Sequence, residues 1–311
     1  MENKIGLFLV NTTAEYHRIN ARETEEAAQR AGLDIEVFDA RDTAAQQGHD
    51  IVRFASANAG KRLCALVVLV SDSVKEGSAI EDDPVYSLAR RALEKGMGWI
   101  TLNHGREDVI SALHSEFPGL PASIVAIDNV AFGRIQAQQL RALLPKGGTV
   151  LCVLGNPFDT ACRERTDGFR GELGSGHYDF QEVDARWEQE LAESVVFKWL
   201  VSPIRRDHPP HAVVCQNDPM GLGARKALER AAQKTGRPEL ATIPVVGGDG
   251  LPGLGQEWVD QGRLAATVCV TLPGKPAVEL LASHWHDGSA LPVKKLLAPG
   301  SYPPLSDLRP A

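Results

Sequence analysis

The chain has 311 residues and a formal net charge of -7, and its 33 lysines and arginines form no dense basic run. This excludes the electrostatic footprint that binding to nucleic-acid phosphates requires. Hydrophobic residues make up 43% and charged residues 23% of the chain, values typical of a globular protein and not of a disordered or fibrous one. No apolar run approaches the roughly 20 residues that span a bilayer, so no direct membrane insertion is expected.

Short β-rich runs alternate with helical segments along the whole chain. The first set of predicted strands covers 4–10, 35–38, 64–70 and 98–102. After a gap the pattern restarts, and the second set covers 149–154, 178–183, 211–215, 243–247 and 266–270. Alternation of this kind predicts parallel sheets. The restart predicts two doubly wound sheets in one α/β chain.

Polar residues follow several of these strands directly. Because ligands of open α/β sheets bind beyond the carboxyl ends of the strands, these residues are candidates for a binding site. They are Asn11, Asn103, His104, Asn217, Asp218 and Asp249.

Four segments resemble the family of type I periplasmic binding proteins and lactose-repressor-like sugar receptors, and in particular its ribose-binding members. The most specific is the run from Cys215 to Ala224, which is similar to the strand-Asn-Asp-helix signature of that family. The others, in the same order and spacing as in the family, are 126–129, Arg163-Glu164-Arg165 before Gly168-Phe169, and 246–250 followed by 264–268.

The resemblance implies two doubly wound parallel-sheet lobes joined by three hinge crossings, near residues 128, 271 and 298. It assigns 1–127 plus 271–297 to an N-terminal lobe and 128–270 plus 298–311 to a C-terminal lobe, with the ligand cleft between them. It also implies a binding protein that closes on a small polar ligand for ABC-type uptake or for signalling. We therefore expect an ABC permease or a sensor kinase as partner, and no catalytic residue, cofactor or metal. The strand at residue 4 has no helix-turn-helix ahead of it, so DNA binding is not expected.

A sugar or polyol fits the side chains that the resemblance brings together. Asp249 can accept hydrogen bonds from two neighbouring hydroxyls, Arg163 can donate to two, and Asn217 can do one of each. Trp187 and Tyr16 offer apolar walls for the C–H faces of the ring. The predicted ligand-binding set is Asn11, Tyr16, Asn103, His104, Arg163, Trp187, Asn217 and Asp249.

Several of these residues also allow a purely structural interpretation. Asp218, directly before Pro219, is typical of a helix N-cap. Asp249 lies among glycines and either binds ligand or shapes a turn. Trp187 is interpreted as the start of a helix, either as a ligand contact or as core. Arg165 is expected to pair on a helix surface.

The sequence departs from the ribose-type pattern at three places. Asn103 and His104 stand where that pattern has an Asp-Arg pair, Val270 and Thr271 replace a glutamine, and the first loop is polar, with Glu15 able to attract a cation. The ligand therefore need not be ribose.

Two enzyme classes compete with the receptor hypothesis. Gly248, Gly250 and Gly253 satisfy the G-x-G-x-x-G pattern after a strand, which would suit an NAD-type dinucleotide-binding dehydrogenase, although Pro252 fits that pattern poorly. A metalloenzyme would need His208 and His211, or His284 and His286, but no carboxylate or cysteine stands at ligand spacing. No hydrolase elbow or P-loop is present in the sequence.

The compartment depends on whether the chain is complete. No signal peptide is visible, and four of the five cysteines lie in apolar strand-like runs, which together favour the cytoplasm for a full-length chain. A chain from which a leader had been removed would be periplasmic.

Overall fold

The structure, a computed structural model, describes residues 2–70, 79–174, 177–205 and 208–310. The chain divides into two compact units. Unit 1 comprises Met1–Ile127 and Leu272–Leu297, and unit 2 comprises Asp128–Thr271 and Ala298–Ala311. The chain therefore passes from one unit to the other three times.

Unit 1 is built on a six-stranded parallel sheet in the order β11-β5-β4-β3-β1-β2. Its strands are β1 (Asn3–Leu9), β2 (Asp34–Asp39), β3 (Arg62–Val68), β4 (Met97–Leu102), β5 (Ala122–Ile127) and β11 (Lys294–Leu297). Its helices are α1 (Glu15–Arg30), α2 (Ala44–Ala57), α3 (Pro84–Glu94), α4 (Glu107–Glu116) and α10 (Gly274–Asp287). Because β1 lies between β2 and β3, connections diverge there and open a crevice at the carboxyl edge.

Helices cover both faces of this sheet, which explains why its strands are continuous apolar runs. On β3, Leu63, Ala65 and Val67 pack into one core with residues of α2, α3 and α4. The alternate residues Cys64 and Leu66 pack into a second core with residues of α1 and α10.

Unit 2 contains a four-stranded parallel sheet in the order β7-β6-β8-β9, beside an antiparallel pair of β10 and β12. Its strands are β6 (Gly148–Leu154), β7 (Tyr178–Asp184), β8 (Ala212–Cys215), β9 (Val245–Val246), β10 (Thr267–Cys269) and β12 (Gly300–Tyr302). Its helices are α5 (Asn129–Leu143), α6 (Thr160–Leu173), α7 (Gln189–Val201), α8 (Asp218–Thr235) and α9 (Gly255–Asp260). Here β6 lies between β7 and β8, so the loops after β6 and β8 flank the crevice of this sheet.

Helices α5 and α6 touch backbone to backbone through a reciprocal pair of glycines. A Cβ atom on Gly133 would lie 2.0 Å from the carbonyl oxygen of Arg165, and one on Gly168 would lie 2.1 Å from that of Val130. Only glycine permits this approach, so the position of α6 depends on both residues.

The alternation of strands and helices confirms the predicted α/β class and its two sets of parallel strands. Several bounds were wrong. The strand predicted at 243–247 is reduced to Val245–Val246, and the strand predicted at 266–270 is three residues long. Strand β5 was not predicted, although its last two residues belong to the family-like segment 126–129. In the part of the chain that the structure describes, no helix is both long and apolar enough to cross a membrane.

Candidate functional site

Loops at the carboxyl edge of the unit 2 sheet bring together most of the predicted site residues of that unit. The loop after β6 begins at Gly155, the turn before α7 carries Trp187, and Gln216 and Asn217 follow β8. Asp249 comes from the turn after β9, and α6 contributes an arginine.

Arg165, and not Arg163, is the arginine of this cluster. Its side chain is 6% exposed, and its Nη2 atom lies 3.1 Å from Asp249 Oδ1. Its Nε donates to Asn129 Oδ1 at 2.9 Å and its Nη1 to the carbonyl oxygen of Gln216. The guanidinium also lies 3.7 Å from the centre of the Phe132 ring. Three polar contacts and the Phe132 ring thus hold the guanidinium in place. Nη1 and Nη2 each carry a second N–H, and no described residue accepts a hydrogen bond from it.

The expectation that Arg165 pairs on a helix surface was wrong. Arg163 is the exposed arginine, and it donates to the carbonyl oxygen of Phe158 at 3.0 Å and to Thr160 Oγ1 at 3.3 Å. These contacts stabilise the loop that precedes α6. The helical periodicity explains the difference, since Arg165 shares a buried face with Cys162 and Phe169.

Asp249 presents its carboxylate toward Arg165 from a backbone conformation that few residues adopt. Its φ is +83°, in the region that favours glycine. Its Oδ1 atom is buried, and its contact with Arg165 is an ion pair, not a well-aligned hydrogen bond; no other described residue donates to it. Burial raises the pKa of Asp249, and the nearby Arg165 acts in the opposite direction.

Asn217, and not Asp218, caps helix α8. Asn217 Oδ1 accepts from the Met220 N–H at 2.9 Å, and its Nδ2 donates to the carbonyl oxygen of Trp187 at 3.1 Å. The N-cap prediction for Asp218 was therefore wrong by one residue. Asp218 is 3% exposed and accepts three hydrogen bonds from elsewhere in the unit. Burial raises its pKa, although the hydrogen bonds from Thr267, Gly250 and Gly248 act in the opposite direction and favour the carboxylate.

Trp187 precedes helix α7 and does not start it, because the helix begins at Gln189 and Trp187 has a φ of +69°. Its ring lies on Gly155, where a Cβ atom would come within 2.2 Å of the indole. Its Nε1 donates to Asp159 Oδ2 at 2.7 Å, and the Arg165 guanidinium lies 5.5 Å from its ring. The indole is partly exposed and rigidly held.

In unit 1, Tyr16 and Asn103 meet at the carboxyl edge of the sheet. The Tyr16 hydroxyl donates to Asn103 Oδ1 at 2.7 Å, and Asn103 has a φ of +74° directly after β4. Both side chains, and His104 beside them, are partly exposed.

Asn11 makes structural contacts within the same unit. Its Oδ1 accepts from the backbone of Thr13 and Ala14, and its Nδ2 donates to Asp42 Oδ1 at 2.8 Å. It thereby shapes the turn that leads from β1 into α1.

His17 lies in helix α1, directly after Tyr16, and is in the neutral form. It was not predicted as a site residue. Its Nδ1 is buried without a hydrogen-bond partner among the described residues. Burial lowers its pKa to about 4, although the charges of Asp42 and Asp39 act to raise it.

We expect His17 to make the protein less stable in acid. An unfolded chain takes up a proton at a pKa near 6.5 and the folded chain only near 4, so stability present above pH 6.5 is lost as the pH falls toward 4, by up to about 3 kcal/mol. Urea titrations measure the free energy of unfolding at each pH. Between pH 6.5 and pH 4 this free energy should fall less in the variant His17→Gln than in the native protein. Replacing the exposed His49 by glutamine is the control and should leave the pH dependence unchanged; an equal effect of both substitutions would contradict the assignment.

The glycines at 248–253 do not form a dinucleotide-binding turn. The N–H groups of Gly248 and Gly250, which such a turn would offer to a phosphate, instead donate to the Asp218 carboxylate at 2.9 and 2.8 Å. The helix that follows is only six residues long. Searching the described residues for three or more histidine, cysteine or acidic side chains placed to hold a metal finds no such group.

Comparison with known proteins agrees with this architecture. The ribose import binding protein RbsB of Salmonella typhimurium is 30% identical over 168 residues, which is 53% of this chain and 52%, or about half, of that relative. The D-allose-bound periplasmic solute binding protein of an Actinobacillus succinogenes ABC transporter has a TM-score of 0.78 at 22% identity, covering 96% of this chain and 97% of that one. The fructose binding periplasmic domain of a hybrid two component system has a TM-score of 0.75 at 21% identity, covering 96% and 90%.

Two units, each with a doubly wound parallel sheet, and three passages of the chain between them define the type I periplasmic-binding-protein class. The model of the periplasmic binding protein domain family matches residues 5–285. The chain belongs to this family, and the resemblance found in the sequence is confirmed.

Proposed function

We propose that the protein binds an uncharged sugar or polyol reversibly and without chemical change, through Arg165, Asp249, Asn217 and Trp187 of unit 2. The observation that carries the proposal is the pairing of Asp249 with Arg165. Asp249 Oδ1 is buried and lacks a well-aligned donor among the described residues, and the neighbouring Arg165 has further N–H groups that can donate to a ligand. A largely buried carboxylate with so few donors costs free energy, and a ligand hydroxyl that donates to its exposed part, 13% of the side chain, would lower that cost.

Vicinal hydroxyls match this pair of charged groups. One hydroxyl can donate to the exposed part of the Asp249 carboxylate while its neighbour accepts from an Arg165 Nη–H, so that each makes a charge-assisted hydrogen bond. The partly exposed Trp187 ring offers a flat apolar surface for the C–H groups of a sugar. Asn217 contributes through the remaining hydrogen-bonding capacity of its amide.

In unit 1 we propose Tyr16, Asn103 and His104 as the residues that offer polar atoms to a ligand. Asn11 is assigned a structural role, because three hydrogen bonds to its own turn and one to Asp42 occupy its amide. Arg163 is likewise removed from the ligand-binding set.

The relatives support the class of ligand and the kind of partner. Their names give ribose, D-allose and fructose as what those proteins bind, and all three are uncharged sugars. One relative serves import and another belongs to a two component system, so we propose an ABC permease or a sensor kinase as the partner of this chain.

We predict that uncharged sugars bind and that their anionic counterparts do not. The charge of Arg165 is balanced by Asp249, so no net positive charge favours a phosphate or carboxylate, whose desolvation would be uncompensated. In a thermal-shift panel of D-ribose, D-allose and D-fructose, at least one should raise Tm by about 5 °C or more at roughly 100 times its Kd.

The matched control is D-ribose 5-phosphate, with D-glucuronate as a carboxylate. Neither should shift Tm. A shift with the phosphate and none with any uncharged sugar would overturn the proposal.

A further inference from the structure

Asp249 must be held in place, because its backbone conformation is unfavourable. A non-glycine residue at a φ of +83° carries strain that persists only where surrounding contacts impose it. The side chain contributes little to holding it, since its Oδ1 makes only the ion pair with Arg165.

The Asp218 side chain supplies such contacts on both sides of Asp249, in addition to the Val270 N–H, which donates to the Asp249 carbonyl oxygen at 3.1 Å. Asp218 Oδ1 accepts from the N–H of Gly248 at 2.9 Å, and its Oδ2 accepts from the N–H of Gly250 at 2.8 Å. These are the residues directly before and after Asp249. The Thr267 hydroxyl donates to the same Oδ1 at 2.7 Å and orients the carboxylate.

Glycine backbones enclose the Asp218 carboxylate, and no ligand can reach it. A Cβ atom on Gly247 would lie 2.2 Å from its Oδ1, and one on Gly255 would lie 1.8 Å from its Oδ2. The residue as a whole is 3% exposed. Any effect of Asp218 on ligand binding must therefore be indirect, through the residues that it holds in place.

We propose that Asp218 is a positioning residue, which clamps the Gly248–Gly250 turn and so aims the Asp249 carboxylate at Arg165 and the ligand. The ligand-binding part of this inference rests on the proposed function of Asp249. The geometric part does not.

The substitution Asp218→Asn tests the clamp with almost no change in shape. An amide has one oxygen and one NH₂ group. In either orientation the NH₂ group therefore faces the N–H of Gly248 or of Gly250, and that hydrogen bond is lost. A crystal structure of this variant should show the distance from Arg165 Nη2 to Asp249 Oδ1 lengthened from 3.1 Å to well beyond hydrogen-bond reach. Unchanged positions of the turn and of Asp249 would overturn the proposal, whether or not a sugar binds.

A second variant guards against failure to fold. Thr267→Val removes one donor to Asp218 and keeps the shape of the side chain, and it should displace Asp249 in the same direction by a smaller amount. The matched control is Asp83→Asn in unit 1, where a buried aspartate caps α3 by accepting from the Val85 N–H. This control should leave the Arg165–Asp249 distance unchanged.

Affinity for the panel sugar that binds best gives the second readout. Asp218→Asn should weaken binding about tenfold or more in the native background and not further when Asp249→Ala is already present. Equal weakening in both backgrounds would mean that Asp218 does not act through Asp249. If no panel sugar binds the native protein, the proposed function fails while the crystal structure still decides the clamp.

Discussion

Replacing Arg165 by methionine is expected to lower the free energy of unfolding by about 3 kcal/mol at neutral pH and to weaken sugar binding about a hundredfold or more. The substitution leaves the buried Asp249 carboxylate without its counter-charge, and this costs more free energy than removing both members of the ion pair would. It also removes the donors to Asn129 and to the Gln216 carbonyl, so further buried polar groups lose their partners. Urea titrations and isothermal titration calorimetry measure the two effects.

The destabilisation should shrink as the pH falls. Without Arg165, the pKa of Asp249 rises further above its usual range, and protonation then removes the unpaired charge. The matched control is Arg163→Met, two residues away on the same helix, which should change stability by less than about 0.5 kcal/mol and leave affinity unchanged. A loss of affinity in the Arg163 variant and none in the Arg165 variant would restore the assignment made from the sequence.

Replacing Gly168 by alanine is expected to lower the free energy of unfolding by about 3 kcal/mol. The new methyl group would lie 2.1 Å from the carbonyl oxygen of Val130, and backbone cannot rotate away as a side chain can. Helices α5 and α6 must therefore separate, at the cost of overpacking. The better helix propensity of alanine, about 1 kcal/mol, offsets only part of this cost.

Gly171, one turn further along α6, is the matched control. Among the described residues, no atom outside its own stretch of helix lies within 4 Å of a Cβ placed there, so Gly171→Ala should stabilise the protein by roughly 0.5–1 kcal/mol. Because α6 carries Arg165, the Gly168 variant should also lose sugar affinity, whereas the Gly171 variant should not. Equal stability of the two variants would contradict the close contact between α5 and α6.

The alternation of strands and helices could be predicted from the sequence because both sheets are covered by helices on both faces. Their central strands are therefore continuous apolar runs bounded by polar segments, as on β3 and β6. The edge strand β11 lacks this signal, whereas the edge strands β2 and β7 were predicted. β11 carries two lysines and an exposed Leu296, so its sequence does not differ from that of a loop.

Several residues of the proposed site could be located from the sequence because they directly follow strands, whereas the directions of side chains on α6 depend on the helical period. Arg163 and Arg165 are two positions apart, so on a helix they point to different faces. The face shared with Cys162 and Phe169 would have selected Arg165.

The roles of Asn217 and Asp218 could not be separated by propensity alone. Both residues are good N-caps, and the run Asn-Asp-Pro allows either one to cap the helix. What decides between them is the Gly248–Gly250 turn about 30 residues later, where the N–H groups of Gly248 and Gly250 donate to the Asp218 carboxylate. Long-range pairing of this kind leaves no local pattern in the sequence.

Calorimetric titration of the native protein with D-ribose, D-allose and D-fructose tests the central claim most directly. We predict saturable binding of at least one of these sugars at one site per chain, with affinity lost in Arg165→Met and retained in Arg163→Met. The absence of binding heat with all three sugars, together with saturable binding of NADH or of D-ribose 5-phosphate, would contradict an uncharged sugar as the ligand.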